Sequence, residues 1–229
     1  MHIALIGDSL TEGRPGIPFA RLLKEQFPGF RFDNLGKGGD TVLSLYSRLS
    51  KKKLPAHYDL AFLWIGVNDV YTKMLNAQAQ VPAKDEKEFE EVYKKCVEII
   101  LGSSKQIILV TPALIGEDTE SHANKQLRTL SSIILSLADK QPNLLGLDLH
   151  TIFKHHLAQK TSSDYISVKV TRIMADALFH RKPSRIDKLS RERGLHLTLD
   201  GVHLNSLGAQ ITAGEYAELI KAENKKAAL

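Results

Sequence analysis

Short apolar runs alternate with helical patterns along most of the chain. Residues 2–6 are apolar and lead into Gly7-Asp8-Ser9, the pattern of a buried strand ending in a turn. Residues 30–35 read as a second strand, closed by Gly36, Gly38 and Gly39. Leu60 to Ile65 is continuously apolar, as a central parallel strand requires, and Gly66-Val67-Asn68-Asp69 ends it. Residues 107–110 and 144–149 give two further strands, the first stopped by Thr111-Pro112. Between these runs the apolar spacing predicts helices over 18–27, 41–49, 86–101 and 119–139, and a last one over 206–222. In the fourth, Leu127, Leu130, Ile134 and Leu137 share one face.

Strands alternating with helices imply right-handed crossovers, a central parallel sheet and helices on both of its faces, an α/β class. In such sheets ligands bind at the carboxyl ends of the strands. Three polar motifs fall at those ends: Gly7-Asp8-Ser9, Gly38-Gly39-Asp40 and Gly66-Val67-Asn68-Asp69. Residues 160–195 break the rhythm. Ile166, Val170, Ile173 and Ala177 have helical spacing, Pro183 interrupts the stretch after them, and nine Lys or Arg stand against four Asp or Glu. The segment reads as a helical insertion, either a lid over the site or a peripheral helical pair with a solvated basic face.

The 229 residues suit a single domain, 1–229, that carries this insertion. With 43% hydrophobic and 25% charged residues, a disordered or fibrous chain is excluded. The net charge of +5 is modest. It comes without zinc-finger spacing or RNA-binding aromatics, so no nucleic-acid partner is expected. No apolar stretch is long enough for a membrane span, and the first residues lack a leader pattern, so a cytoplasmic location is expected. Cys96 is the lone cysteine and shares a helical face with Phe89, Val92, Tyr93 and Ile100, which makes it a core residue. His155-His156 lacks zinc-site spacing and reads as a solvated helix face.

The polar motifs suggest nucleophilic chemistry. A serine hydroxyl needs a base for its proton, a carboxylate to orient that base, and donors for the oxyanion that forms. Ser9 follows a buried strand and is the candidate nucleophile; its alternative role is a helix N-cap. In Asp200-Gly201-Val202-His203, the spacing lets both polar side chains meet on one side of a tight loop. Gly39 and Asn68 are candidate oxyanion donors, through a backbone N–H and a side-chain amide; a flexible turn and an Asx-turn are their alternatives. Asp148 ends a strand and rivals Asp200 as the acid, but reads better as the cap of a helix after it. Gly36-x-Gly38-x-x-Thr41 lacks the third glycine of a dinucleotide fingerprint. No Gly-x-Ser-x-Gly elbow is present.

Taken in order, these blocks resemble the SGNH, or GDSL, hydrolase family. They are Gly7-Asp8-Ser9-Leu10, Asn34-Leu35-Gly36-Lys37-Gly38-Gly39-Asp40-Thr41, Gly66-Val67-Asn68-Asp69 and Asp200-Gly201-Val202-His203. The resemblance implies a flavodoxin-like three-layer α/β/α fold, with no metal and no organic cofactor. It implies a triad of Ser9, Asp200 and His203, and oxyanion donors at Ser9, Gly39 and Asn68. Arg14 and Tyr71 come just after two of the blocks and are expected to line the substrate pocket. The expected activity is hydrolysis of a small or medium ester through an acyl-enzyme on Ser9. An acyltransferase on the same triad and a non-catalytic binding module are the alternatives.

Overall fold

The computed structural model describes residues 1–75 and 80–227. Its centre is a five-stranded sheet in the order β2-β1-β3-β4-β5. The strands are β1 (His2–Gly7), β2 (Arg31–Gly36), β3 (Tyr58–Trp64), β4 (Ser104–Val110) and β5 (Leu144–Leu147). Every pairing is parallel. This is the flavodoxin-like order. Register brings Gly7 level with Gly36 and Trp64, Trp64 with Val110, and Val110 with Leu147. The carboxyl ends therefore line up, and the motifs beyond them collect along one edge of the sheet.

The helices are α1 (Ser9–Glu12), α2 (Phe19–Gln26), α3 (Val42–Lys51), α4 (Val67–Tyr71), α5 (Glu86–Leu101), α6 (His122–Ala138) and α7 (Leu149–Leu157). After them come α8 (Val170–Phe179), α9 (Pro183–Glu192) and α10 (Ser206–Ala227). The last helix packs beside α2 on one face of the sheet, while α3, α5 and α6 form the layer on the other. Phe62 of β3 stacks on Tyr216 of α10, and Phe19 of α2 meets the same ring edge-on, which closes the first layer over the sheet. Cys96 is buried in the opposite layer, as its spacing suggested.

Helix starts obey local chemistry. Thr41 and Ser44 form a capping box at α3, Asp85 caps α5 and Ser121 caps α6. Asp148 accepts from the Thr151 N–H at 3.1 Å and caps α7, so the last strand stops at Leu147 rather than at 149. Residues 160–195 contain two helices, α8 and α9, placed differently from what the apolar spacing suggests. Ile166 lies in the irregular segment before α8, not in a helix, and Pro183 does not interrupt a helix but begins one at the first turn of α9.

Candidate active site

The turn after β1 places Ser9, the candidate nucleophile. Asp8 is the N-cap of α1, its carboxylate accepting from the Leu10 N–H at 2.9 Å. That removes the alternative in which Ser9 itself caps the helix. Ser9 becomes the first helical residue, where its own N–H has no intrahelical acceptor. Its hydroxyl Oγ lies 3.0 Å from His203 Nε2.

The candidate base, His203, lies 194 residues further along the chain. His203 Nδ1 lies 2.8 Å from Asp200 Oδ2, while Asp200 Oδ1 accepts from the N–H groups of Val202 and His203 at 3.1 and 2.9 Å. One carboxylate thus shapes the loop and orients the ring. Gly201 makes the turn possible: its φ is +93°, and a Cβ there would sit 2.8 Å from the Tyr165 carbonyl. Asp200 is 0% exposed, His203 4% and Ser9 6%.

Burial and charge oppose each other in this pair. Burial alone would suppress the imidazolium, but the Asp200 charge and hydrogen bond outweigh it and hold His203 above its ordinary range. Burial would likewise raise Asp200, yet the His203 charge, their hydrogen bond and the two backbone donors hold it low. Asp8 behaves differently. It is deeply buried with one backbone donor, and burial pushes it up to about 7.

The two other expected donors follow β2 and β3. Gly39 has a φ of +80° in the turn after β2, a conformation suited to glycine. The adjacent Gly38 faces Ser9: a Cβ added there would be 3.9 Å from the Ser9 Cβ. Asn68 is buried on α4 and donates through Nδ2 to the Asp40 carbonyl at 2.9 Å. That amide carries a second N–H, so one can hold the turn while the other faces a ligand. Asp40 is itself fixed by Arg48 Nε and Ser44 Oγ. The Arg48 guanidinium also donates to the carbonyls of Gly7 and Leu35, tying the ends of β1 and β2 to the Gly39 turn.

Tyr71 and Arg14, the expected pocket residues, differ in their surroundings. Tyr71 is buried and its hydroxyl donates to the Ser167 carbonyl, so it braces the insertion instead of offering that hydroxyl to a ligand. Arg14 is exposed on the turn after α1. Among the described residues no group of three or more His, Cys, Asp or Glu is arranged to hold a metal ion.

Sequence reasoning missed Glu117. Its buried carboxylate accepts from the N–H groups of His196, Leu197 and Thr198 at 2.7, 2.8 and 3.0 Å, and from the Thr198 hydroxyl at 3.0 Å. It anchors the segment that leads into Asp200. The insertion holds the same loop from its other side, with the Ser167 N–H on the Asp200 carbonyl at 2.9 Å and Arg193 Nη1 on the Leu199 carbonyl at 2.8 Å. The 160–195 segment is therefore structurally bound to the loop that carries Asp200 and His203.

The GDSL-like lipase/acylhydrolase family model matches residues 5–211, which spans all four blocks and the insertion. The chain belongs to this family. It is accordingly an ester-hydrolysing enzyme of the GDSL type. Among solved structures, this GDSL hydrolase is similar to the acetyl xylan esterase AlAXEase, at 24% identity and a TM-score of 0.69 over 96% of this chain and 100% of that one. It is also similar to the acetylxylan esterase Axe2 from Geobacillus stearothermophilus, at 20% identity and a TM-score of 0.63 over 95% and 92% of the two chains. A third is LAE5, an α/β hydrolase from the metagenome of Lake Arreo, Spain, at 22% identity and a TM-score of 0.63 over 94% and 92%. These likenesses establish the shared fold. No curated protein matches the chain. Among the described residues, no helix is long and apolar enough to cross a membrane.

Proposed function

We propose that this enzyme hydrolyses esters of small acyl groups through an acyl-enzyme on Ser9. The observation that carries the proposal is the continuous path from Ser9 Oγ to His203 Nε2 at 3.0 Å, and from His203 Nδ1 to Asp200 at 2.8 Å. His203 takes the Ser9 proton as Oγ attacks the ester carbonyl. Asp200 holds the ring in the tautomer with its proton on Nδ1 and stabilises the imidazolium. The oxyanion is received by the N–H groups of Ser9 and Gly39 and by the amide of Asn68. His203 then protonates the leaving alkoxide, and water, deprotonated by the same ring, attacks the acyl-enzyme. The acid is returned and Ser9 regains its proton.

Burial around Ser9 favours a small acyl group. Ser9, Asn68 and His203 are all buried, and the insertion is pinned to the loop that carries the base. A two-carbon acyl group asks for less displacement of these elements than a long chain does. Two of the structural neighbours are described as esterases of acetylated xylan, which suits this acyl size.

The test is hydrolysis of p-nitrophenyl acetate, butyrate and octanoate by wild type and Ser9→Ala, with fluorophosphonate labelling and then peptide mass mapping. Turnover falling from acetate to octanoate, with the label on Ser9, is the expected result. A label on another residue, or equal turnover by Ser9→Ala, would overturn the mechanism. Faster octanoate turnover would overturn the acyl size alone.

A further inference from the structure

Helix α8 in the insertion packs Ile173 against the core but, unlike an ordinary surface helix, leaves further large apolar side chains outside. Its buried side chain is charged: Asp176 points inward, with an oxygen 2.8 Å from Arg193 Nη2. Its outward side is apolar, with Met174, Leu178 and Phe179 exposed to 67%, 57% and 65%. Met174 and Leu178 lie one turn apart, and Phe179 extends the same side of the helix.

Cations frame this face. Exposed Lys169 and Arg172 stand at the start of the helix, and exposed Arg181, Lys182 and Arg185 lie beyond its end. The insertion holds nine Lys or Arg against four Asp or Glu, an excess of five. The whole chain has 31 against 26, the same excess, so all of the charge imbalance resides in this one segment.

We propose that α8 docks on an anionic phospholipid surface, with Met174, Leu178 and Phe179 entering the boundary between headgroups and acyl chains and the flanking cations on lipid phosphates. An apolar helix face bordered by Lys and Arg is the pattern of an interfacial helix. A bilayer accepts three projecting side chains without a matching pocket. A second copy of the chain fits less well, because a twofold interface sets the same patch against itself and brings like charges together. A polyanion such as nucleic acid would meet the cations but leave the apolar side chains in water. The proposal is independent of the esterase mechanism, since no residue of it belongs to the site around Ser9.

The experiment is co-sedimentation of the full chain with vesicles of phosphatidylcholine alone and of phosphatidylcholine containing phosphatidylglycerol, at low and high salt. Wild type is expected to bind the anionic vesicles, to bind less in high salt, and to leave the neutral vesicles free. Met174→Ser with Leu178→Ser keeps the charge and is expected to weaken binding about tenfold, with p-nitrophenyl acetate turnover unchanged as the control for folding. Arg181→Ala with Lys182→Ala should weaken it by about fivefold for each cation removed. Wild type remaining in the supernatant with anionic vesicles would overturn the proposal. So would vesicle binding undiminished in the serine variant, or a wild-type dimer in sedimentation velocity that the serine variant splits.

Discussion

The side-chain amide of Asn68 donates to the main-chain carbonyl of Asp40, so one hydrogen bond fixes the α4 residue to the turn that presents Gly39. Two of the three proposed oxyanion donors are thereby held at a set spacing before any substrate arrives. Preorganisation of this kind costs nothing at the moment of reaction.

Asn68→Ala is therefore expected to lower kcat by about 10²–10³, with a smaller effect on KM. Steady-state kinetics on p-nitrophenyl acetate reads this directly, and circular dichroism checks that the fold persists. An unchanged kcat would remove Asn68 from the oxyanion site.

The pH profile reports on His203. The ring must be neutral to accept the Ser9 proton, so kcat/KM rises with pH as His203 deprotonates. Because Asp200 holds it above its ordinary value of 6.5, the acid limb of kcat/KM is expected above that pH. Asp200→Asn removes the charge, so the limb should move down while kcat falls by about 10⁴. A limb that stays in place in Asp200→Asn would separate Asp200 from the titration.

Glu117 supports the base-bearing loop from a distance. Glu117→Ala leaves two buried N–H groups, one partly buried N–H and a buried hydroxyl without their acceptor, and a loss of about 2–4 kcal/mol is expected. The urea midpoint measures it. Glu117→Gln keeps a neutral acceptor and should fall between wild type and Ala. Stability equal to wild type in both variants would show that water replaces the carboxylate.

Asp8 gives a prediction with the opposite sign. Its folded value is raised from 3.8 to about 7, so the folded state holds the proton more tightly than the unfolded chain does. Stability from this group is complete below about 4 and is lost as pH rises towards about 7. Asp8→Asn keeps an oxygen for the Leu10 N–H and has no charge to bury. Relative to wild type it should be more stable at pH 8 by about 1–3 kcal/mol, and not at pH 4. Thermal melts at the two pH values test it; a gain equal at both would assign the effect to something other than ionisation.

The sheet and the four blocks were legible in the sequence because each rests on a local signal. A run such as Leu60 to Ile65 is buried on both faces, and its period is visible without knowing its neighbours. Helices α1 and α4, of four and five residues, are too short to show a period, and they appeared only as turns. Glu117 was hidden for a different reason. Its partners are 79 to 81 residues away, and nothing around it announces that a backbone segment will fold onto its carboxylate. The insertion was partly legible. Its helical spacing and charge were visible, and Ile173 does pack against the core, but that spacing gave no sign that Met174, Leu178 and Phe179 would stand exposed or that Asp176 would be buried beside Arg193.

The distance along the chain between Ser9 and His203 has a consequence for synthesis. The two residues are 194 positions apart. A growing polypeptide exposes its serine first and receives the imidazole 194 residues later, which at about 5–20 residues per second is roughly ten seconds or more. Until then the hydroxyl has no partner to take its proton. Under the proposed mechanism, fragments that stop short of His203 would thus be chemically inert, and hydrolytic power would appear only when the segment carrying Ser9 has met the one carrying His203.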